Sequence, residues 1–136
     1  MSRVEIQQVM DEAQKAQEIV NAFARGGIRT EQRLRGLLNG PVSAVCGKIR
    51  EVIATHADPV IESWQRQGWQ DRSTTLCLRL VDDSRRLNAA VGRAMHARPL
   101  SRDLTPALAA VAHALAAVIG AMKDVADDRA RKRVAG

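Results

Sequence analysis

The chain has 136 residues and a mass of 14.8 kDa; 46% of its residues are hydrophobic and 26% are charged. Its 21 Lys and Arg exceed its 15 Asp and Glu, which leaves a formal net charge of +6. This length and composition exclude a disordered chain and predict a single domain over residues 1–136. With no Tyr, one Phe and two Trp, the chain lacks the aromatic residues typical of all-β folds, so we predict an all-α fold.

The first predicted helix covers about residues 3–25. Ser2 and Glu5 have the spacing of a capping box, and Gly26-Gly27 ends the segment. Between these signals, apolar residues recur three and four positions apart, a spacing typical of an amphipathic helix: Ile6, Val9, Met10, Ala13, Ala16, Val20 and Phe23. We expect this face to pack into the core.

Three shorter helices are predicted between residues 30 and 67. Thr30 caps the first, which Asn39-Gly40 interrupts. Proline is tolerated in the first turn of a helix because its missing amide would be unpaired there. Gly40-Pro41 and Asp58-Pro59 are therefore predicted to start the second and third helices. Trp64 continues the apolar stripe of the third helix and is predicted to lie in the core.

Two long helices complete the prediction. The first covers about Ser73 to His96 and ends at Arg98-Pro99, and the second runs from Pro106 to about Arg133. The outcome is a compact bundle of four to five helices with a long C-terminal helix. A basic tail at about 129–136 closes the chain.

The C-terminal helix has two different apolar faces. At 100° per residue, one face carries bulky side chains, whereas the opposite face carries mostly small residues, among them Ala109, His113, Ala116 and Gly120. Small side chains allow another helix to approach closely, so these four residues are candidates for a protein interface. The apolar stretch is shorter than a membrane span needs and rich in weakly hydrophobic Ala, so no membrane is expected.

Catalytic and metal-binding patterns are not visible in the sequence. His56, His96 and His113 lie in three separate segments, and no pair has the spacing that brings two metal ligands together on one helix. We interpret them as surface or helix-end residues. Solvated ion pairs explain the carboxylate pairs at 82–83 and 127–128: Asp82 is placed to meet Arg86, and Asp127 and Asp128 to meet Arg131 and Lys132, four residues further along the chain. Hence we expect no enzyme, cofactor, metal site or small-molecule substrate.

Cysteine usage and the N-terminus favour a cytoplasmic location. Cys46 and Cys77 are too few for a disulfide framework, and we expect both to be small buried apolar residues. Residues 1–5 lead directly into polar sequence without the apolar run of a secretory signal.

The positive charge is unevenly distributed. Residues 25–50 sum to about +5, 74–103 to about +3 and 104–136 to about +2, whereas 1–24 and 51–73 are each about −2. The candidate polyanion-binding residues form a turn, a seven-residue repeat on the long helix and a tail: Arg25, Arg29, Arg33 and Arg35; Arg79, Arg86 and Arg93; Arg129, Arg131, Lys132 and Arg133. A solvated helix face or an arginine-rich genome would produce a similar pattern.

Function is therefore predicted at the level of binding. Arg66 and Trp69 are interface candidates because Arg and Trp are enriched at binding hot spots, although Trp69 could instead close the end of the bundle. The main hypothesis is a non-enzymatic interaction or assembly module that binds a protein partner, with self-association through the C-terminal helix as one form. The alternative is sequence-nonspecific nucleic-acid binding through the arginine-rich surfaces, including a role as a subunit of a nucleoprotein assembly. Few aromatic side chains are available to stack on bases, which weakens that alternative.

Overall fold

The structure, a computed structural model, describes residues 5–26, 31–97 and 104–135. It contains α1 (Ile6–Gly26), α2 (Glu31–Leu37), α3 (Ser43–Val52), α4 (Asp58–Gln67), α5 (Arg72–His96) and α6 (Leu104–Ala135). Two π-helical turns, Leu38–Val42 and Ile53–Ala57, join α2 to α3 and α3 to α4. No strand occurs within these described ranges. The predicted all-α bundle with a long C-terminal helix is confirmed.

The helix interruption predicted at Asn39-Gly40 is wrong, and so is the helix start at Gly40-Pro41. The predicted start at Asp58-Pro59 coincides with the beginning of α4, although α4 follows the second π-helical turn without a break. Residues 31–67 form one continuous helical rod, and each proline lies inside or next to a π-helical turn. In these turns the amide of Ser43 donates to the carbonyl of Leu38, and the amide of Asp58 donates to that of Ile53. The extra residue in each turn relieves the clash between a proline ring and the carbonyl four residues before it.

The core lies where α6 packs against α5 and α1. The predicted face of α1 is confirmed in the core, with Met10 and Phe23 only partly buried. The bulky face of α6 is buried as well, and Leu108, Val111, Leu115, Val118 and Met122 are at most 1% exposed. Lys48 ties α3 to α1 by donating to Glu12 at 2.7 Å. The bundle therefore surrounds α6 on its bulky side.

Helix ends follow local signals. Asp71, which precedes α5, accepts hydrogen bonds from the amide and the hydroxyl of Thr74 at 2.9 and 2.8 Å. The amide hydrogen bond is the largest cause of the lowered pKa of the Asp71 carboxyl. Gly68 ends α4 with a φ of 77°, in the left-handed region that favours glycine. The signals predicted at Ser2, Gly27, Thr30 and Arg98-Pro99 lie outside the described residues.

Several predicted environments are corrected. Trp64 is only half-buried, and α4 contributes no fully buried residue. His56 is only 8% exposed because it lies in the second π-helical turn, which packs against α5. Asp83, predicted as a solvated ion-pair partner, is only 7% exposed. The burial predicted for Cys46 and Cys77 is confirmed.

Candidate functional sites

The small-residue face of α6 lies at the surface of the bundle. Ala109, His113 and Ala116 are exposed and Gly120 is half-buried, so these four residues form a strip along the helix, here called the α6 strip. A Cβ atom added at Gly120 would meet no heavy atom within 4 Å. The strip therefore offers space for the side chain of another molecule at that position.

The α6 helix combines high hydropathy with partial burial. An 18-residue window within Leu104–Arg133 has a mean hydropathy of 1.8, yet only 44% of that window is buried. By length and composition alone the helix could cross a membrane, a test that core helices of soluble bundles also pass. The apolar surface left uncovered is the alanine-rich side that carries the α6 strip.

Residues of α5 extend this surface sideways. Two adjoining hollows of about 320 and 710 Å³ lie between α5 and α6, and Ala89, Arg93 and Ala110 line both of them. His113 lies on the first hollow and His96 on the second. The surface beside the α6 strip is therefore shallow and alanine-lined, with basic side chains at one end.

The arginine repeat on α5 is partly neutralised by carboxylates. Arg79 Nη1 lies 3.2 Å from Asp124 Oδ2 on α6, and Arg86 Nη2 lies 3.0 Å from Asp82 Oδ2. Asp83, nearly buried, lies 3.7 Å from Arg79 Nε and 3.8 Å from Arg86 Nη1. Arg79 thus links α5 to α6, whereas Arg86 pairs with carboxylates of its own helix. Both pairings reduce the charge that these arginines offer to a polyanion.

The other arginine sets lie apart from the α5 repeat. Arg25, Arg33 and Arg35 are exposed near the junction of α1 and α2, whereas Arg29 lies outside the described residues. Near the end of α6, Arg131, Lys132 and Arg133 are exposed and Arg129 is half-buried.

The tryptophan segment lies at the end of the bundle. Trp69 is 61% exposed, so it does not close the bundle end, and Arg66 is exposed as well. A hollow of about 260 Å³ lies between Trp64 and Trp69 and extends to Lys132. Both interface candidates of this segment are accessible at the surface.

Next to this hollow is a larger cavity that no sequence pattern predicted. Its volume is about 330 Å³, and it lies between the second π-helical turn, α4, the start of α5 and the end of α6. We call it the end cavity; it is lined by His56, Val60, Ser73, Leu76, Cys77, Val125, Asp128, Arg129, Lys132 and Arg133. These residues are far apart in the sequence, so no local spacing signals that they meet.

The polar groups of the end cavity are held in place by each other. Ser73 Oγ donates to Asp128 Oδ2 at 2.6 Å, and Lys132 Nζ lies 3.9 Å from the same oxygen. Cys77 Sγ lies 4.0 Å from the carbonyl oxygen of His56. A histidine and a cysteine thus converge here, with a serine and a carboxylate.

This convergence favours binding over nucleophilic chemistry. Burial raises the pKa of the Cys77 thiol to about 11, and the nearby Asp128 carboxylate adds to the increase. Burial also raises the pKa of Cys46. A thiol with such a pKa carries little thiolate at neutral pH and is a poor nucleophile. The Ser73 hydroxyl donates its hydrogen bond to the Asp128 carboxylate.

Among the described residues no group of three or more His, Cys, Asp or Glu side chains is arranged to hold a metal ion. Comparisons of the chain with protein-family models, with curated proteins and with solved structures found no match. The candidate functional surfaces of the described residues are the α6 strip, the arginine sets and the end cavity.

Proposed function

We propose that this protein is a non-enzymatic helical assembly module that pairs with a second copy of itself through the α6 strip. The observation that carries the proposal is the exposure of the strip on a helix whose window of mean hydropathy 1.8 is only 44% buried. Small side chains on one helix face let two helix axes approach closely, which increases the number of van der Waals contacts. This favours another helix as the partner.

Self-pairing is favoured because the strip is complementary to itself in an antiparallel arrangement. A two-fold axis between Ala116 and Ala117 places His113 of each copy opposite Gly120 of the other. Gly120 has no side chain, and the space where its Cβ would lie is open, so the imidazole ring of His113 has room there. The largest side chain of the strip thus meets its smallest residue.

Charge at the ends of the strip is mixed in this arrangement. Arg93 borders the hollows beside Ala110, toward the N-terminal half of α6. At that end the second α6 presents Lys123 opposite Ala110 and Asp127 opposite Pro106, and both side chains are exposed. The proposed register therefore depends on the fit of His113 to Gly120 rather than on charge.

Sedimentation equilibrium across a concentration series tests the proposal. We expect a species of about twice the 14.8 kDa chain mass. Ala116→Glu places a charged side chain at the centre of the interface, so we expect it to weaken pairing by at least ~10-fold, about 1.4 kcal/mol. Ala44→Glu is the matched control, because Ala44 is an exposed helical alanine on α3, away from the strip.

The proposal is wrong if the wild-type protein remains a monomer at concentrations up to ~1 mM, where pairing would contribute less than about 4 kcal/mol. It is also wrong if both glutamate variants weaken pairing equally. Ala116 is exposed, so Ala116→Glu should change the unfolding free energy of the monomer by no more than ~0.5 kcal/mol, which circular dichroism during urea unfolding measures.

Nucleic-acid binding is the second candidate, supported by the group of cations near the end of α6. Arg129, Arg131, Lys132 and Arg133 lie within two helical turns, and all but Arg129 are exposed. Only Lys132 among them has a carboxylate within ion-pair distance in the described part of the chain. This end of α6 is therefore better suited to phosphate contacts than the paired arginines of α5.

A further inference from the structure

The end cavity combines an apolar interior with a charged rim. Val60, Leu76 and Val125 supply aliphatic surface from α4, α5 and α6, and the protonated thiol of Cys77 adds to it. The volume of about 330 Å³ falls within the usual range for small-molecule sites. An apolar body of several carbon atoms therefore has a place to bind.

The rim carries more positive than negative charge. Arg129, Lys132 and Arg133 are three cations on one helix end, whereas Asp128 is the only carboxylate among the described residues that line the cavity. Asp128 accepts the hydrogen bond of Ser73 and lies 3.9 Å from Lys132. Together these four charged residues sum to two positive units, and the guanidinium of Arg129 has no carboxylate partner in the described part of the chain.

Side-chain chemistry narrows the class of ligand. An arginine fork and an ammonium group match the two oxygens of a carboxylate. A dianionic phosphate would face stronger repulsion from Asp128, which lies at the same rim. The aliphatic interior requires an apolar group attached to the anion. We infer that the end cavity binds a small amphipathic monocarboxylate, with its aliphatic body between Val60, Leu76 and Val125 and its carboxylate at Arg129 and Lys132.

This site is separate from the proposed pairing surface. The α6 strip occupies residues 109–120, whereas the cavity residues of α6 begin at Val125. The inference does not rest on self-association, and either one can fail without the other.

Isothermal titration calorimetry of the full chain with octanoate and with octanamide tests the inference. The two probes share one aliphatic chain, and only octanoate carries a charge. Charge-assisted hydrogen bonds to Arg129 and Lys132 should make octanoate bind at least ~10-fold more tightly than octanamide. The inference is overturned if octanoate does not bind, or if its preference over octanamide is smaller than this.

Charge variants locate the site. Arg129→Gln and Lys132→Gln should each weaken octanoate binding by at least ~5-fold and leave octanamide binding unchanged, because only the anion uses these groups. Arg85→Gln, at an exposed position on α5 outside the cavity lining, removes the same charge and should change neither affinity. Equal losses in Arg85→Gln and Arg129→Gln would mean that octanoate responds to net charge alone, and would overturn the site.

A second variant tests the interior. Leu76 is half-buried and lines the cavity, so Leu76→Trp should fill the space that the aliphatic chain of either probe needs. This variant should therefore abolish binding of both probes. Chemical shifts of the α6 amides, recorded without ligand, verify that this variant keeps the fold. Undiminished octanoate binding in folded Leu76→Trp would overturn the inference.

Discussion

Cys77 lies between the apolar interior of the bundle and the charged end of α6. It is 2% exposed, and burial raises its thiol pKa from 9.0 to about 11. The Arg129 and Lys132 side chains lower this pKa, but by less than burial raises it. Desolvation is therefore the largest cause, ahead of the four nearby charges of Asp71, Asp128, Arg129 and Lys132, because burial removes the water that would solvate the thiolate.

This shift predicts a pH dependence. The folded pKa lies above the unfolded one, so the folded state is favoured below pH 9, and this contribution is lost as the pH rises from about 9 to about 11. We expect the Cys46→Ser variant to form the Cys77 thiolate near pH 11, followed by absorbance at 240 nm. The chain has no Tyr whose titration would interfere. The urea-unfolded variant is the control and should titrate near pH 9; a folded variant that also titrates near pH 9 would contradict the prediction.

Other buried polar residues also have partners, one from a distant segment and others from the same helix. Ser73 is 4% exposed, and its Oγ donates a hydrogen bond to Asp128 Oδ2 at 2.6 Å. Asp83 is 7% exposed and is matched by Arg79 and Arg86. Buried polar groups need such partners, since unsatisfied ones are costly. The spacing of Asp82 to Arg86 was predictable on one helix, whereas the pairing of Ser73 with Asp128 was not.

At the scale of elements, the rod over residues 31–67 shows how packing selects between a break and a π-helical turn. Gly40-Pro41 and Asp58-Pro59 are compatible with either outcome. Leu38 and Val42 are buried within the first turn, and Ala57 within the second. Continuing the rod keeps these side chains in the core, and the wider turns accommodate the prolines.

Replacing glycine by alanine should change the unfolding free energy in opposite directions within this rod and at its end. Gly36 is exposed, has space for a Cβ atom and lies within α2, so Gly36→Ala should raise the unfolding free energy by about 0.5–1 kcal/mol. Gly68 has a φ of 77°, so Gly68→Ala should lower it by about 1 kcal/mol. Urea unfolding followed by circular dichroism measures both changes. If both substitutions changed the unfolding free energy in the same direction, the helical conformation at Gly36 or the left-handed conformation at Gly68 would be contradicted.

At the scale of the whole molecule, the net charge of +6 is distributed between surfaces with different roles. Arg79 contacts carboxylates of both α5 and α6, and Arg86 contacts carboxylates of α5, so part of the arginine repeat on α5 serves ion pairs within the bundle. The end of α6 keeps exposed cations and also forms the rim of the end cavity. Surface charge alone is therefore an incomplete guide to the binding partner.

This distribution predicts which cations would carry nucleic-acid binding. Affinity for short DNA and RNA should fall steeply between two salt concentrations, and Arg131→Gln combined with Arg133→Gln should reduce the salt slope by about 2. Arg79→Gln combined with Arg86→Gln removes the same charge from paired residues and should reduce the slope by less. Fluorescence anisotropy measures both slopes. Binding that is weak and insensitive to salt would end this candidate function.

Sequence alone determined the helical class and the two different faces of α1 and α6, because apolar periodicity is a local property of the chain. Only the tertiary structure decided that Ala109, His113 and Ala116 are exposed, that residues 31–67 continue as one rod and that His56 and Asp83 are buried. It also brought Ser73, Cys77 and Asp128 together at the end cavity. These outcomes depend on which helices pack side by side, and contacts between distant segments are set by the fit of the whole core rather than by residue spacing.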